Sequence, residues 1–129
     1  MWIYHAVADT ILVNSLVRTF PGVDTNRVGL WGASWGAFHT CIVAGLDSRF
    51  RAACAEWGCG YLHEDSAYNA NFAGMTPGWR NHWIKYFDPS MYVGATQVPM
   101  FMYNDARDFF FPLDSHSKTY ALVQSPKKI

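Results

Sequence analysis

The pentapeptide Gly32-Ala33-Ser34-Trp35-Gly36 constrains this chain more than any other feature, because of what lies on either side of it. Before it, Arg27 to Trp31 holds a short apolar run, Val-Gly-Leu-Trp, of the kind that forms a buried parallel strand. After it, Trp35 to Leu46 is apolar almost all round, which predicts a buried helix. No loop separates the two, so the chain must reverse from strand to helix within the pentapeptide. Such a reversal strains the residue at its apex and pushes that side chain out at the top of the sheet. Gly32 and Gly36 are expected because a Cβ at either would collide with the neighbouring strand or helix. The simpler alternative is a glycine-rich turn with Ser34 as helix N-cap. Chance alone produces this spacing of glycine and serine in roughly one of every few dozen chains of this length. The strand–turn–helix setting therefore carries more weight than the motif, and it favours Ser34 as an exposed nucleophile with the Trp35 amide as an oxyanion donor.

The rest of the chain continues the alternation. Tyr4 to Phe20 reads as an amphipathic helix, with Val13, Leu16, Val17 and Phe20 on its apolar face and Thr10, Asn14 and Arg18 on another. Pro21-Gly22 ends it. Arg51 to Trp57 and Val98 to Tyr103 are further strand candidates, and Pro112 to Val123 a last helix with Pro112 in its first turn. The predicted class is α/β, three-layer, with a parallel sheet of about three strands near 27–32, 52–57 and 98–103. Its helices are expected near 4–20, 35–46 and 112–123. Residues 58–97 are too long for an ordinary connection and read as a cap-like insertion with short helices, one near Gly78 to Phe87. Residues 1–129 are then a single domain with that insertion.

Composition narrows the function classes. Half of the residues are hydrophobic and 17% aromatic, a globular mixture. Ten basic and ten acidic residues give no net charge, so no nucleic-acid partner and no anionic membrane surface is indicated. No apolar run reaches the length of a membrane-spanning helix. Three cysteines do not make a disulfide framework: Cys41 and Cys54 read as small core residues, and Cys59, between glycines, as exposed. No Cys/His spacing suggests zinc, and His63-Glu64-Asp65 fits no standard ligand motif, so no metal and no cofactor are expected.

Two stretches carry a family resemblance. Val23-Asp24, Arg27-Val28-Gly29-Leu30, Gly32-Ala33-Ser34-Trp35-Gly36 and Thr40 to Phe50 resemble the catalytic domain of prolyl-oligopeptidase-type α/β-hydrolases, and within them bacterial acetylxylan-esterase-like proteins. Asp88-Pro89-Ser90, Val98-Pro99 and Tyr103-Asn104 through Asp108-Phe109 to Pro112-Leu113-Asp114-Ser115 resemble the strand and acid loop of that family. The resemblance implies a serine hydrolase that forms an acyl-enzyme on Ser34, with Asp108 as triad acid. Asp105 stands where the family usually has glycine, and Arg107 is unexpected there; it can pair with Asp105 or compete for Asp108.

The family's catalytic histidine follows the acid by one more helix and strand, and is expected beyond Ile129. Of the five histidines here, His39 is expected to point into packing and His116 lies on the last helix, away from the base position. His63 and His82 are left as substitute bases within the insertion. By the family's plan, the loop giving a second oxyanion donor, several strands and the helices over one sheet face are also missing. The chain therefore reads as a partial domain, with the Val28–Trp31 strand at an unpaired edge and self-association through that edge as one consequence. Implied substrates are a small-molecule ester, an acetylated carbohydrate or a peptide. The insertion's aromatics, with Trp57 at its edge and then Tyr61, Tyr68, Trp79, Trp83 and Tyr86, either line a pocket or form a small core of their own. The alternative is a catalytically inert fragment or interaction module that keeps the architecture alone.

Overall fold

The computed structural model describes residues 2–128; Met1 and Ile129, the ends of the expected single domain, lie outside them. Four short strands form one parallel sheet in the order β1 (Leu30–Ala33), β2 (Ala53–Glu56), β3 (Met100–Tyr103) and β4 (Lys127–Lys128). Leu30, Ala53, Met100 and Lys127 stand side by side in register. The expected strands are thus present but shorter. β1 begins at Leu30 rather than Arg27 and runs on through Ala33 to the edge of the reversal. The last described residues add the fourth strand.

The chain crosses the sheet in one direction. Right-handed crossovers between parallel strands then put every connection on the same face. Helix α2 (Trp35–Leu46) follows β1 and packs on it, burying Ala37, Phe38, Cys41, Val43 and Ala44. That face of the sheet is small and apolar, with Ala53, Ala55, Met100 and Met102 buried. The opposite face carries Trp31, Cys54 and Phe101, in register with one another, and no described helix covers it. Trp31 is 65% exposed and Phe101 42%. The described residues thus supply the sheet and one helical layer of a three-layer plan.

Helix α1 (Trp2–Val17) corrects the expected face. Its buried positions are Ile3, Val7 and Asn14, whereas Val13, Leu16 and Phe20 are each more than half exposed. The reason is a polar clamp. The Asn14 amide donates to Asp47 Oδ2 at the C-terminal end of α2, 2.9 Å away. Asp47 also receives Nε and Nη2 of Arg49 at 2.8 and 2.7 Å. These bonds hold the Asp47 carboxyl down to about 2, the Arg49 contacts first. Turning Asn14 inward rotates the richer apolar stripe of α1 away from α2. The helix also ends at Val17, three residues earlier than expected, in a turn through Pro21.

Between β2 and β3 lie α3 (Leu62–Asp65), α4 (Asn69–Ala73), α5 (Pro77–Phe87) and two 3-10 turns, Pro89–Met91 and Val93–Ala95. The insertion holds short helices as expected, and α5 is the one placed near Gly78 to Phe87. It is capped by Thr76, whose hydroxyl accepts from the Trp79 amide, and Pro77 occupies its first turn. Fully buried Asp88 joins this segment together, its Oδ1 accepting from the amides of Tyr61 and Ser90 at 3.1 and 2.9 Å. The last helix, α6 (Leu113–Leu122), starts one residue after Pro112, which serves as its N-cap.

Candidate active site

Ser34 sits between the last residue of β1 and the first of α2 with φ 57° and ψ −122°, a conformation that L-residues rarely adopt. Its amide donates to the Glu56 carbonyl at 2.8 Å, which continues the β1–β2 ladder, and its carbonyl accepts from Phe38, which opens the helix. Both ladders thus meet on one residue, and its side chain is left exposed with no capping bond to the helix. The N-cap alternative is not what the geometry adopts. The first amides of a helix have no intrahelical acceptor, and the Trp35 N–H at the first position of α2, next in sequence to Ser34, makes no hydrogen bond among the described residues.

The two glycines act differently. A Cβ on Gly32 would fall 2.3 Å from the Gly36 carbonyl oxygen and 2.8 Å from Thr40 Oγ1. Gly32 is therefore required by close approach of β1 to the first turn of α2. A Cβ on Gly36 would meet nothing within 4 Å, which corrects the expectation of a collision there. A third glycine, outside the motif, is required by close approach to the same turn. Gly58 lies under the turn, and a Cβ there would come within 2.7 Å of the Ser34 carbonyl.

Asp108 lies in the loop after β3, half-buried. Its Oδ1 accepts from the amides of Phe110 and Phe111 at 2.9 and 3.0 Å. The Asn104 amide closes the same loop onto the Phe111 carbonyl at 2.6 Å. One carboxylate oxygen is thereby fixed by the backbone, and Oδ2 makes no hydrogen bond among the described residues. Asp105 turns the loop, its Oδ1 accepting from the Arg107 amide at 2.7 Å. The Arg107 guanidinium makes no ion pair among the described residues.

Ser34, Asp105, Arg107 and Asp108 share the lining of one open depression of about 330 Å³. The rest of its wall is aromatic: Trp57, Phe109, Phe110 and Phe111. Trp57 stands at the end of β2 with φ 56°, a left-handed conformation that is unusual for so bulky a side chain. The Phe-Phe-Phe run was a visible signal in the sequence; the conformation of Trp57 was not.

The histidines lie elsewhere. His39 stacks edge-on against Trp2, and burial lowers its pKa. His116 is completely buried with neither ring nitrogen bonded; burial lowers its pKa, offset in part by the charge of Asp108. His63 is 3.8 Å from Asp88 Oδ2 and 3.9 Å from Glu64 Oε1. His82 lies stacked on Trp79 and against Tyr86. Neither lines the depression, so the structure does not bring the two substitute bases to Ser34. Among the described residues no group of three or more His, Cys, Asp or Glu side chains could hold a metal ion.

Two cysteine expectations are corrected. Cys59 is fully buried rather than exposed, and burial pushes its thiol up. Cys54 is only half-buried, since it faces the open side of the sheet. Cys41 is core, its thiol pushed up to about 12 by burial. The insertion's aromatics divide. Trp83 packs on Phe72 and Phe38, and Tyr68 on Trp35, whereas Trp79 and Tyr86 stay exposed. Of the aromatics expected to form either a pocket or a core, Trp57 lines the depression, and Tyr61, Tyr68, Trp79, Trp83 and Tyr86 do not.

A strained serine between a parallel strand and a helix, with a carboxylate on the loop after a later strand, defines an α/β-hydrolase fold. The sequence profile of the prolyl oligopeptidase family matches residues 2–128, and the chain belongs to that family. Venom dipeptidyl peptidase 4 of Vespula vulgaris is 33% identical over 77 residues, which cover 54% of this chain and 9% of that protein. The acetyl xylan esterase from Paenibacillus sp. R4 superposes with a TM-score of 0.82 at 19% identity, over 95% of this chain and 44% of that one. Acetyl xylan esterase 1 from Thermoanaerobacterium sp. JW/SL YS485 gives 0.74 at 22% identity over the same shares. The acylaminoacyl peptidase of Pyrococcus horikoshii gives 0.75 at 20%, over 89% of this chain and 20% of that one. These structures share the fold, and this chain spans less than half the length of each.

Proposed function

We propose that Ser34 is the nucleophile of a serine hydrolase and Asp108 its triad acid, in a partial α/β-hydrolase domain with residues 58–97 as its insertion. The backbone of Ser34 carries this reading. A serine held at φ 57° and ψ −122° with its side chain free costs conformational energy that a structural turn would not need. In the proposed reaction Ser34 Oγ attacks a carboxyl carbon, and its proton passes to a general base and on to the departing oxygen or nitrogen. Water then cleaves the acyl-enzyme, returning the proton to Oγ. The Trp35 amide stabilises the oxyanion, with Gly32 and Gly36 forming the turn that aims it. Asp108 orients a histidine, and since none of the five histidines lines the depression, the reading takes that base from outside residues 1–129. Substrates are a carboxylic ester, an acetylated carbohydrate among them, or a peptide, by analogy with the esterases and peptidases that share the fold.

A second reading has its own observation. The absence of a histidine from the depression and the uncovered sheet face fit a chain that keeps the architecture without turnover. A fluorophosphonate probe separates the two. Labelling that is abolished by Ser34→Ala supports the activated nucleophile. A folded chain that takes no label supports the inert reading.

A further inference from the structure

We infer that Asp88 and Thr119 are positioning residues for the nucleophile: through residues 57–61 they hold Ser34 in its strained conformation. The inference rests on the proposed role of Ser34 and adds what keeps that residue strained.

Among the described residues three non-glycine residues have positive φ: Ser34 at 57°, Trp57 at 56° and Tyr61 at 58°. They belong to one connected structure. The peptide between Glu56 and Trp57 is pinned on both sides. Its carbonyl accepts from the Ser34 amide at 2.8 Å, and its N–H donates to the Tyr103 carbonyl at 2.9 Å. The first rotation after it is φ of Trp57, and the left-handed value there brings Gly58 against the Ser34 reversal. A Cβ on Gly58 would lie 2.5 Å from Ala37 Cβ and 2.7 Å from both the Phe38 nitrogen and the Ser34 oxygen. The other end of the segment is tethered. The Gly60 amide donates to Thr119 Oγ1 at 2.9 Å in a buried bond, and that hydroxyl donates to the Ser115 carbonyl at 2.7 Å. The Tyr61 amide donates to Asp88 Oδ1 at 3.1 Å, and a Cβ on Gly60 would fall 2.5 Å from the same oxygen.

Strained backbone persists only where its surroundings leave it no alternative. If residues 58–60 could move away from α2, Trp57 and Tyr61 would relax, and Ser34 would lose the surface it packs on. Asp88 and Thr119 prevent that movement. A fully buried carboxylate carries a desolvation cost, and Oδ2 of Asp88 makes no hydrogen bond, with His63 Nδ1 3.8 Å away. Its Oδ1, by contrast, receives two amides, and one of them belongs to Tyr61 at the end of the strained segment.

The test is amide hydrogen exchange of the 129-residue chain, followed residue by residue by NMR, with Val7 on α1 as internal reference. Thr119→Val keeps the side-chain shape and removes the acceptor of the Gly60 amide. It is expected to speed exchange of the Ser34 amide about 2- to 10-fold relative to Val7, the equivalent of one buried hydrogen bond. Asp88→Ala should do at least as much. Thr119→Ser and Asp88→Asn keep an acceptor at each place and should restore the original rate. Ser34 exchange that is unchanged in Thr119→Val, or that rises no more than exchange at Val7, would overturn the inference; the second result is what a general loss of stability gives. Thr119→Val decides alone should Asp88→Ala not fold. Exchange needs no reactive serine, so a chain that responds this way but takes no fluorophosphonate keeps the tether and loses the proposed chemistry.

Discussion

A methyl group added at Gly32 would lie 2.3 Å from a backbone oxygen of α2, whereas one added at Gly36 would lie in open space. The two positions look equivalent in the motif, and their substitutions should not behave alike. Gly32→Ala is expected to cost about 1–3 kcal/mol or more, because backbone rather than a flexible side chain must move. Gly36→Ala should be neutral or stabilise by about 0.5–1 kcal/mol, since alanine is the better helix former. Urea denaturation of both variants measures the difference. Similar losses at the two sites would mean that Gly36 also touches something near the Ser34 turn. Ser34→Ala should leave the fold intact while removing the label of the probe, because its hydroxyl caps nothing.

At the level of elements, two features set how stability depends on pH. Asp47 joins α1 to the end of α2 and its carboxyl sits at about 2 in the fold, chiefly through Arg49. A depressed folded pKa gives stability that is complete above the unfolded value of about 3.9 and is lost as pH falls toward 2. The contribution is on the order of 2 kcal/mol. Asp47→Asn should remove this acid-range loss, and urea midpoints at pH 6 and pH 2.5 would show it. The buried His116 acts at higher pH with the same sense. Its folded pKa is lowered, so below about 6.5 the unfolded chain takes up a proton that the fold resists, and stability falls as pH drops. His116→Leu should flatten the urea midpoint between pH 7 and pH 5. A slope unchanged by that variant would assign the effect to His39 instead.

For the whole molecule the open sheet face matters most. Trp31, Phe101 and the backbone around them border an uncovered concavity of about 510 Å³. Leu12, Val13 and Leu16 add a second apolar surface on α1. Exposed apolar area on this scale marks a surface that another body covers. The isolated 129-residue chain is therefore expected to self-associate. Trp31→Lys with Phe101→Lys should lower its sedimentation coefficient without changing its far-ultraviolet circular dichroism. Sedimentation unchanged in that double variant would move the contact to α1.

The sequence by itself determined the order of the first three strands and the three main helices, the parallel sheet, the strand–Ser34–helix reversal and the loop that carries Asp108; the fourth strand and the helices α3 and α4 were not placed by it. The features it determined follow from local pattern: apolar runs, helical periodicity, proline and glycine stops, and a motif whose flanks agree with it. What pattern could not reach was decided by packing. The buried face of α1 turns on Asn14 meeting Asp47, a contact 33 positions away that outweighs the richer apolar stripe. The different roles of Gly32 and Gly36 depend on which backbone passes within a few ångströms of each. The aromatic wall beside Ser34 joins Trp57 to Phe109 and Phe110 across the sheet, where no periodicity connects them. A local pattern records which face a residue prefers; only the tertiary structure records which distant residue meets it there.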